Sequence, residues 1–373
     1  MSGPTRRIPL AQPELGEEEL ANVVDAVRSG WISSLGAYIA RLEDGFAAYC
    51  TVRHGVAVMN GTAALHLALA AAGVREGDEV IVPTLTFVAT ANAVKYCGAT
   101  PVFVDADPAH WSMDARQIEA RVTPRTRAIV PVHLYGHPCD MDPVMDVARR
   151  HRLTVIEDAA EAIGGEYRGR RVGSLGHVAS FSFYGNKTMT TGEGGMCVTD
   201  DVALRDQLLL LRDHGMDAKR RYWHEVVGFN YRMTNLQAAV GVAQLAKLDR
   251  FVAARREVAS WYADALADLV RRWGITPQPE LPWAKSSFWL SSILLPTGGP
   301  TAQEMTVRLA AEGIDSRPFF HPMHTLPPYR TSERFPIAED LAARGLNLPT
   351  GYGLTRSDVD RVVSALARAL DHA

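Results

Sequence analysis

The sequence predicts an α/β protein built on a mainly parallel sheet flanked by helices, with a smaller α+β part at its C-terminal side. Three observations carry this. Short β-branched runs alternate with amphipathic helical stretches from His54 to Asp158. A chain of 373 residues exceeds one ordinary core and points to about two domains. Gly274 to Pro282 carries three prolines and reads as a linker.

Taken in order, Leu15 to Ser29 has early acids, apolar residues at helical spacing and Gly30 after its end, which predicts a helix. Gly30 to Gly36 reads as a loop with an exposed aromatic, Trp31, and Ile39 to Tyr49 as a second helix. Each following strand then leads to a helix: His54 to Met59 to the stretch Thr62 to Ala72, Glu79 to Val82 to Phe87 to Cys97, and Pro101 to Val104 to Asp114 to Arg121. Arg127 to Val132 leads to Asp142 to Arg150, and Leu153 to Glu157 ends at Asp158. Beyond two further strands near Ser180 and Met196, the chain reads as mostly helical to Trp273, most clearly over Gln237 to Leu248 and Arg250 to Val270. After the linker come a strand over Phe288 to Leu295, a helix over Ala302 to Glu312, the segment Arg317 to Tyr329 and a last helix from Ser357 to Leu370. The expected division is 1–34 for an N-terminal helix and loop that pack on the small domain and active site, 35–250 for the large domain and 251–373 for the small one.

Composition narrows the function. The formal charge of −3 is small and no dense Lys/Arg tract occurs, so nucleic acid is not expected as a partner. The four cysteines are far apart without a CxxC pair, which argues against a zinc site or disulfide framework and fits a reducing cytoplasm. Met1 to Pro13 lacks the apolar core of a signal peptide, and no apolar run reaches the roughly 18 residues of a membrane span.

In a parallel sheet, ligands gather at the carboxyl ends of the strands. Four such ends stand out. The run Ser180 to Tyr184 stops at Gly185 and a lone lysine, Lys187, ahead of a second glycine-rich turn. A lysine held beside a core loses its proton more readily and can attack a carbonyl to form a Schiff base. Asn60-Gly61-Thr62-Ala63 opens a helix and fits either a plain helix cap or a phosphate cradle. Asp158 leaves a buried strand as an acid at the sheet edge or as an N-cap, and Phe87 reads as an aromatic platform or as core. Together these are the parts that hold pyridoxal 5'-phosphate, the carboxylate pairing the pyridinium nitrogen. His66, His133 and His324 read as hydrogen-bonded structural residues and take no chemical role.

The spans Asn60 to His66, Glu157 to Glu161 and Ser182 to Lys187 resemble the signature segments of the sugar aminotransferases of the DegT/DnrJ/EryC1/StrS family, and the resemblance runs nearly end to end. It implies fold type I with a seven-stranded sheet, a homodimer with active sites at the subunit interface, and pyridoxal 5'-phosphate on Lys187. It further implies Asp158 at the ring nitrogen, Phe87 stacked on the ring, Gly61, Thr62, Ala63 and Ser182 at the phosphate, and Glu161 near the ring hydroxyl, where many relatives carry glutamine. A dehydratase branch of the family has histidine at the lysine position; Lys187 therefore favours transamination. The segments at Trp31 to Ser34, His133 to Gly136, Gly228 to Met233 and Arg317 to His324 resemble most the GDP-perosamine synthase branch, which aminates C4 of GDP-4-keto-6-deoxy-D-mannose with L-glutamate and so feeds lipopolysaccharide biosynthesis. That likeness implies Asn230 at the partner subunit's cofactor phosphate and Trp31, Ser33, Arg317 and His321 around the nucleotide sugar. Lys219 and Arg220 read either as cations for its diphosphate or as an exposed basic loop. One departure is Trp289-Leu290-Ser291, where relatives often show Trp-Met-Tyr; it leaves a UDP- or dTDP-linked ketosugar open as substrate. A cofactor-binding regulator is disfavoured, since the helix at Leu15 to Ser29 has no helix-turn-helix partner.

Overall fold

The computed structural model describes residues 6–371; Met1 to Thr5 of the expected N-terminal span and His372 and Ala373 of the C-terminal one lie outside it. Helices α1 (Glu17–Ser29) and α2 (Ala37–Tyr49) precede strand β1 (His54–Val58), and α3 (Gly61–Ala71), β2 (Glu79–Pro83), α4 (Ala89–Tyr96) and β3 (Thr100–Val104) follow. Then come β4 (Thr126–Ile129), α5 (Met141–His151), β5 (Thr154–Asp158), the short β6 (Glu166–Tyr167) and β7 (Arg170–Arg171), β8 (Val178–Ser182) and β9 (Gly195–Thr199). Seven of these strands form one sheet in the order β1-β9-β8-β5-β4-β2-β3. Only β9 runs against the others, pairing antiparallel with both β1 and β8.

Strand pleating explains why both faces are covered. Val56, Val58, Val80, Val82 and Ile156 bury into one core with Leu65, Leu67 and Leu69 of α3. Their alternates Ala57, Ile81, Val155 and Phe181 bury into the other with Phe46 of α2 and Val144 of α5. All the parallel strands therefore end on one edge, and that edge carries Asn60, Thr84, Asp158 and Ser182.

The remaining chain is α6 (Val202–Arg212), α7 (Asn235–Ala246), α8 (Leu248–Trp273), β10 (Thr276–Pro277), β11 (Ala284–Lys285), β12 (Ser291–Leu294), α9 (Ala302–Ala311), β13 (Arg317–Pro318), α10 (Pro336–Arg344), β14 (Gly345–Leu348) and α11 (Arg356–Asp371). A four-stranded antiparallel sheet, β10-β12-β14-β13, packs with α9 and α11 around a third core containing Ile293, Leu346, Met305 and Leu366. Helix α8 runs unbroken through residue 250: Leu248 and Val252 join the core of α2 and α5, whereas Val258, Tyr262 and Leu266 join the third. Ile8 lies in that third core and bridges Ile314.

Three expectations are corrected. Asp114 to Arg121 is not an α-helix but two 3-10 turns, because the Asp114 side chain caps the Arg116 amide and Val122 is already extended two residues before Pro124. Residues 213–234 are not helical; they run as an excursion pinned by bridges from Asp213 to Asn230 and from Val58 to Arg232. The proline-rich linker holds β10, where Thr276 and Pro277 lie at the sheet's edge, the position that tolerates proline.

Candidate active site

Four strand ends meet at the sheet's carboxyl edge. Asp158 closes β5, and its backbone is fixed on both sides: its amide donates to Pro131 O at 2.9 Å and its carbonyl accepts from His133 N at 3.1 Å. Its neighbour Glu157 faces the opposite way into a fully buried nest, accepting from His133 Nε2 at 3.0 Å and from the amides of Gly173, Leu175 and Gly176. Burial alone would raise that carboxyl, but His133 and the amides outweigh it and hold Glu157 low. The structural reading of His133 is thus explained: it locks the strand that presents Asp158.

The Asp158 carboxylate accepts Thr90 Oγ1 at 2.7 Å and the Ala160 amide at 3.3 Å. Burial raises its pKa against these bonds and against the nearby charge of Lys187. Lys187, on the loop after β8, has a side chain only 11% exposed, with Nζ 3.7 Å from Glu161 Oε1. Burial lowers its pKa, opposed by Glu161 and Asp158 and reinforced by the Arg255 cation. Glu161 is pushed up to about 7 by burial, against the pull of Lys187 and of the Tyr135 amide that donates to its Oε2 at 2.9 Å. An amine made less basic and an acid made less acidic therefore share one buried place, a pattern that marks sites of proton transfer.

Asn60 caps α3, its Oδ1 accepting the Ala63 amide at 2.8 Å. The cap is therefore formed in this segment; it takes the Ala63 amide, while the Gly61 and Thr62 amides are first-turn donors with no helical carbonyl to reach. Gly61 sits tightly on the end of β8; a Cβ there would meet Ser182 Cβ at 2.7 Å. Phe87 stands in the loop two residues ahead of α4 rather than at the helix start, 53% exposed and 5.6 Å from the Phe320 ring.

The other residues singled out lie further out. Arg317 in β13 and His321 are exposed, the latter next to Phe320, whose amide donates to the buried Tyr135 hydroxyl at 3.1 Å. Trp31 and Ser33 are exposed and give their carbonyls to Asn235 at the start of α7. Asn230 is exposed and accepts from Arg232 Nη2 at 2.9 Å. Lys219 and Arg220 are exposed with their amides on Asp217, the Arg220 guanidinium 4.0 Å from the Trp223 ring centroid. Sequence reasoning gave no role to Thr90, Tyr135 or Trp289, and Arg255, which as half of a basic pair with Arg256 reads from the sequence as a solvated helix face, is instead 4% exposed. Arg255 alone left a signal: it falls on the buried stripe of α8 between Val252 and Val258, where a cation is out of place.

An amine, a buried carboxylate, an aromatic face and a helix N-terminus beside a serine match the donor set of a pyridoxal phosphate site, and Gly61 lets the start of α3 close onto Ser182, where a Cβ would collide with it. Fold and site define a pyridoxal-phosphate-dependent transferase of fold type I. Residues 13–367 match the model of the DegT/DnrJ/EryC1/StrS aminotransferase family, and the chain belongs to that family. It is similar to the GDP-perosamine synthase of Caulobacter vibrioides, 53% identical over 367 residues, which cover 98% of both chains. It is also similar to the GDP-perosamine synthase of Escherichia coli O157:H7, 47% identical over 353 residues, covering 94% of this chain and 95% of the relative. Among solved structures, S. venezuelae DesV superposes with a TM-score of 0.91 at 37% identity, over 99% of this chain and 100% of that one. The chain is a sugar aminotransferase and its cofactor is pyridoxal 5'-phosphate.

Proposed function

We propose that this protein transfers the amino group of L-glutamate to C4 of GDP-4-keto-6-deoxy-D-mannose, making GDP-perosamine for O-antigen assembly. The observation that carries the aminotransferase chemistry is Lys187, a buried amine between Glu161 and Asp158 at the strand ends. The full-length identity to two GDP-perosamine synthases supports the choice of sugar.

When bound, pyridoxal phosphate supplies the carbonyl that receives the amino group and a ring that takes up electrons. The residues do the rest. Lys187 Nζ removes the proton from the donor's Cα as a free amine and returns it to the cofactor carbon, with no net proton gain over the step. Asp158, which accepts Thr90 Oγ1, would pair the ring nitrogen and keep a proton on it. Gly61 and Thr62 at the start of α3, with Ser182, would bind the phosphate, Ala63 lying beside it while its amide stays on Asn60, and Phe87 would cover the ring. Glu161 would face the ring hydroxyl and, with its pKa raised to about 7, could exchange a proton with it near neutrality.

In this reading 35–250 is the cofactor-binding unit, 251–373 the small domain and 1–34 a helix and loop that pack on the small domain and active site. Two chains form a homodimer in the cytoplasm, Asn230 of each reaching the other's phosphate. Trp31, Ser33, Lys219, Arg220, Arg317 and His321 surround the nucleotide sugar. Among the described residues no helix is long and apolar enough to cross a membrane.

The deciding experiment supplies the purified enzyme with glutamate and, in parallel, GDP-, UDP- and dTDP-linked 4-keto-6-deoxysugars, with products identified by mass spectrometry. Amination of the GDP sugar at least tenfold faster than the others is expected. A preference for UDP or dTDP sugars rejects the substrate assignment, and a colourless protein that ignores added cofactor rejects the whole reading.

A further inference from the structure

The Lys187 amine does not rest on its acidic neighbours alone. Its Nζ lies 3.6 Å from the centroid of the Trp289 indole, nearer than the 3.7 Å to Glu161 Oε1. The charged groups facing it are Glu161 and Asp158 from the end of β5 and the turn after it, and Arg255 from α8. An ammonium over the face of tryptophan is the strongest of the cation–π arrangements, most so when water is excluded, and Trp289 is only 5% exposed.

The ring is held there from several sides. Trp289 Nε1 donates to Asn186 O at 2.8 Å, tying the indole to the residue before the lysine. Arg255, itself 4% exposed, donates from Nη1 to Trp289 O at 2.6 Å and from Nη2 to Lys187 O at 3.3 Å, and burial pushes its pKa down to about 10. A buried guanidinium spent on two carbonyls has its cost offset only by what it holds in place. The preceding residue, Phe288, has φ 46, a strained position for an aromatic residue. Gly136 makes room for that turn: a Cβ on it would lie 2.6 Å from the amide nitrogens of both Phe288 and Trp289. Strain and a buried cation maintained around one side chain indicate that its position matters.

We infer that Trp289 is a positioning residue whose indole face holds the Lys187 ammonium whenever the lysine is released from the cofactor, with Arg255 and Asn186 fixing the ring. This rests on Lys187 being the reactive amine. Without the platform the freed side chain would swing among rotamers between its two proton transfers; on it, Nζ stays beside the reacting carbon.

The test uses full-length protein saturated with pyridoxamine 5'-phosphate, the form in which Lys187 is free. Limited acetylation with acetic anhydride from neutral to alkaline pH, followed by peptide mass spectrometry, reads the neutral fraction of that amine. Loss of the face removes support for the charged form, so Trp289→Leu should acetylate Lys187 about tenfold faster near neutral pH, the size of a desolvated cation–π contact. Trp289→Phe, which keeps a face but loses the N–H, should stay within about threefold of the parent. A ring-fluorinated tryptophan at 289, equal in shape but poorer in π density, should shift the profile in the same direction as leucine and guards against a leucine variant that fails to fold. An unchanged profile with leucine or with the fluorinated ring overturns the inference, as does a phenylalanine variant that shifts as far as leucine, which would credit the hydrogen bond instead. Borohydride reduction of the parent, which must trap cofactor on Lys187, separates this failure from failure of the aminotransferase reading.

Discussion

At the scale of single residues the site is a matter of opposed charges held out of water. Lys187→Ala should lose the visible band of lysine-bound cofactor and at least about 10³-fold in turnover, measured with saturating cofactor, since one positioned base contributes on that order. Glu161 makes a prediction in pH. Its folded pKa, about 7, lies above its ordinary value of 4.5, so folding takes up a proton between the two and stability falls as pH rises through that window. In the cofactor-free protein, Glu161→Gln should therefore gain melting temperature relative to the parent as pH climbs from 4.5 to about 7, then hold its lead; a constant difference across that range would refute the assignment. Thr90→Val keeps the shape but removes the 2.7 Å bond to Asp158, and should cost about 1 to 2 kcal/mol of cofactor affinity by titration. Lys187, Asp158 and the Gly61-Thr62 turn were legible because each sits where a strand pattern stops. Trp289 and Tyr135 fell within segments that carried the family likeness, but their roles were not legible, because what makes them matter is contact across the fold with segments far away in the chain.

At the scale of elements, the rhythm of strand and helix from β1 to β5 could be read directly, since strands covered on both faces are apolar throughout and bounded by turns. The small domain resisted. Two of its strands, β10 and β13, are two residues long, too short to show an alternation, and α10 begins at Pro336 after 3-10 turns with no capping side chain to announce it. The junction of α3 with β8 is where an element-scale change should be felt most. Gly61→Ala places a methyl 2.7 Å from Ser182 Cβ, and one of the two must move. About 1 to 3 kcal/mol of stability should be lost, together with affinity for the cofactor's phosphate, as read by denaturant unfolding and by cofactor titration. Unaltered affinity would remove the α3 terminus from the phosphate site.

At the scale of the molecule, the excursion over 213–234 exposes Tyr222 at 76%, Trp223 at 48% and Val227 at 92%, and the loop before α2 exposes Trp31, Ile32 and Leu35. In the proposed dimer these are apolar side chains that the partner subunit would cover. Light scattering should return twice the chain mass, and Val227→Lys should lower that mass and the turnover together; a fully active monomer would sink the shared-site arrangement. The long reach of the sheet has a consequence of another kind, in time. Strand β1 is an edge strand whose sole sheet neighbour is β9, made far later in the chain. At ordinary rates of translation, Val56 and Val58 wait on the order of ten seconds for that neighbour to leave the ribosome. For that interval the first strand is an unpaired apolar edge of the kind that invites aggregation or a chaperone. The start of α3, anchored against Ser182, can become a phosphate site only after β8 has emerged, so the first segment of the site to be synthesised must wait for later ones before it can bind.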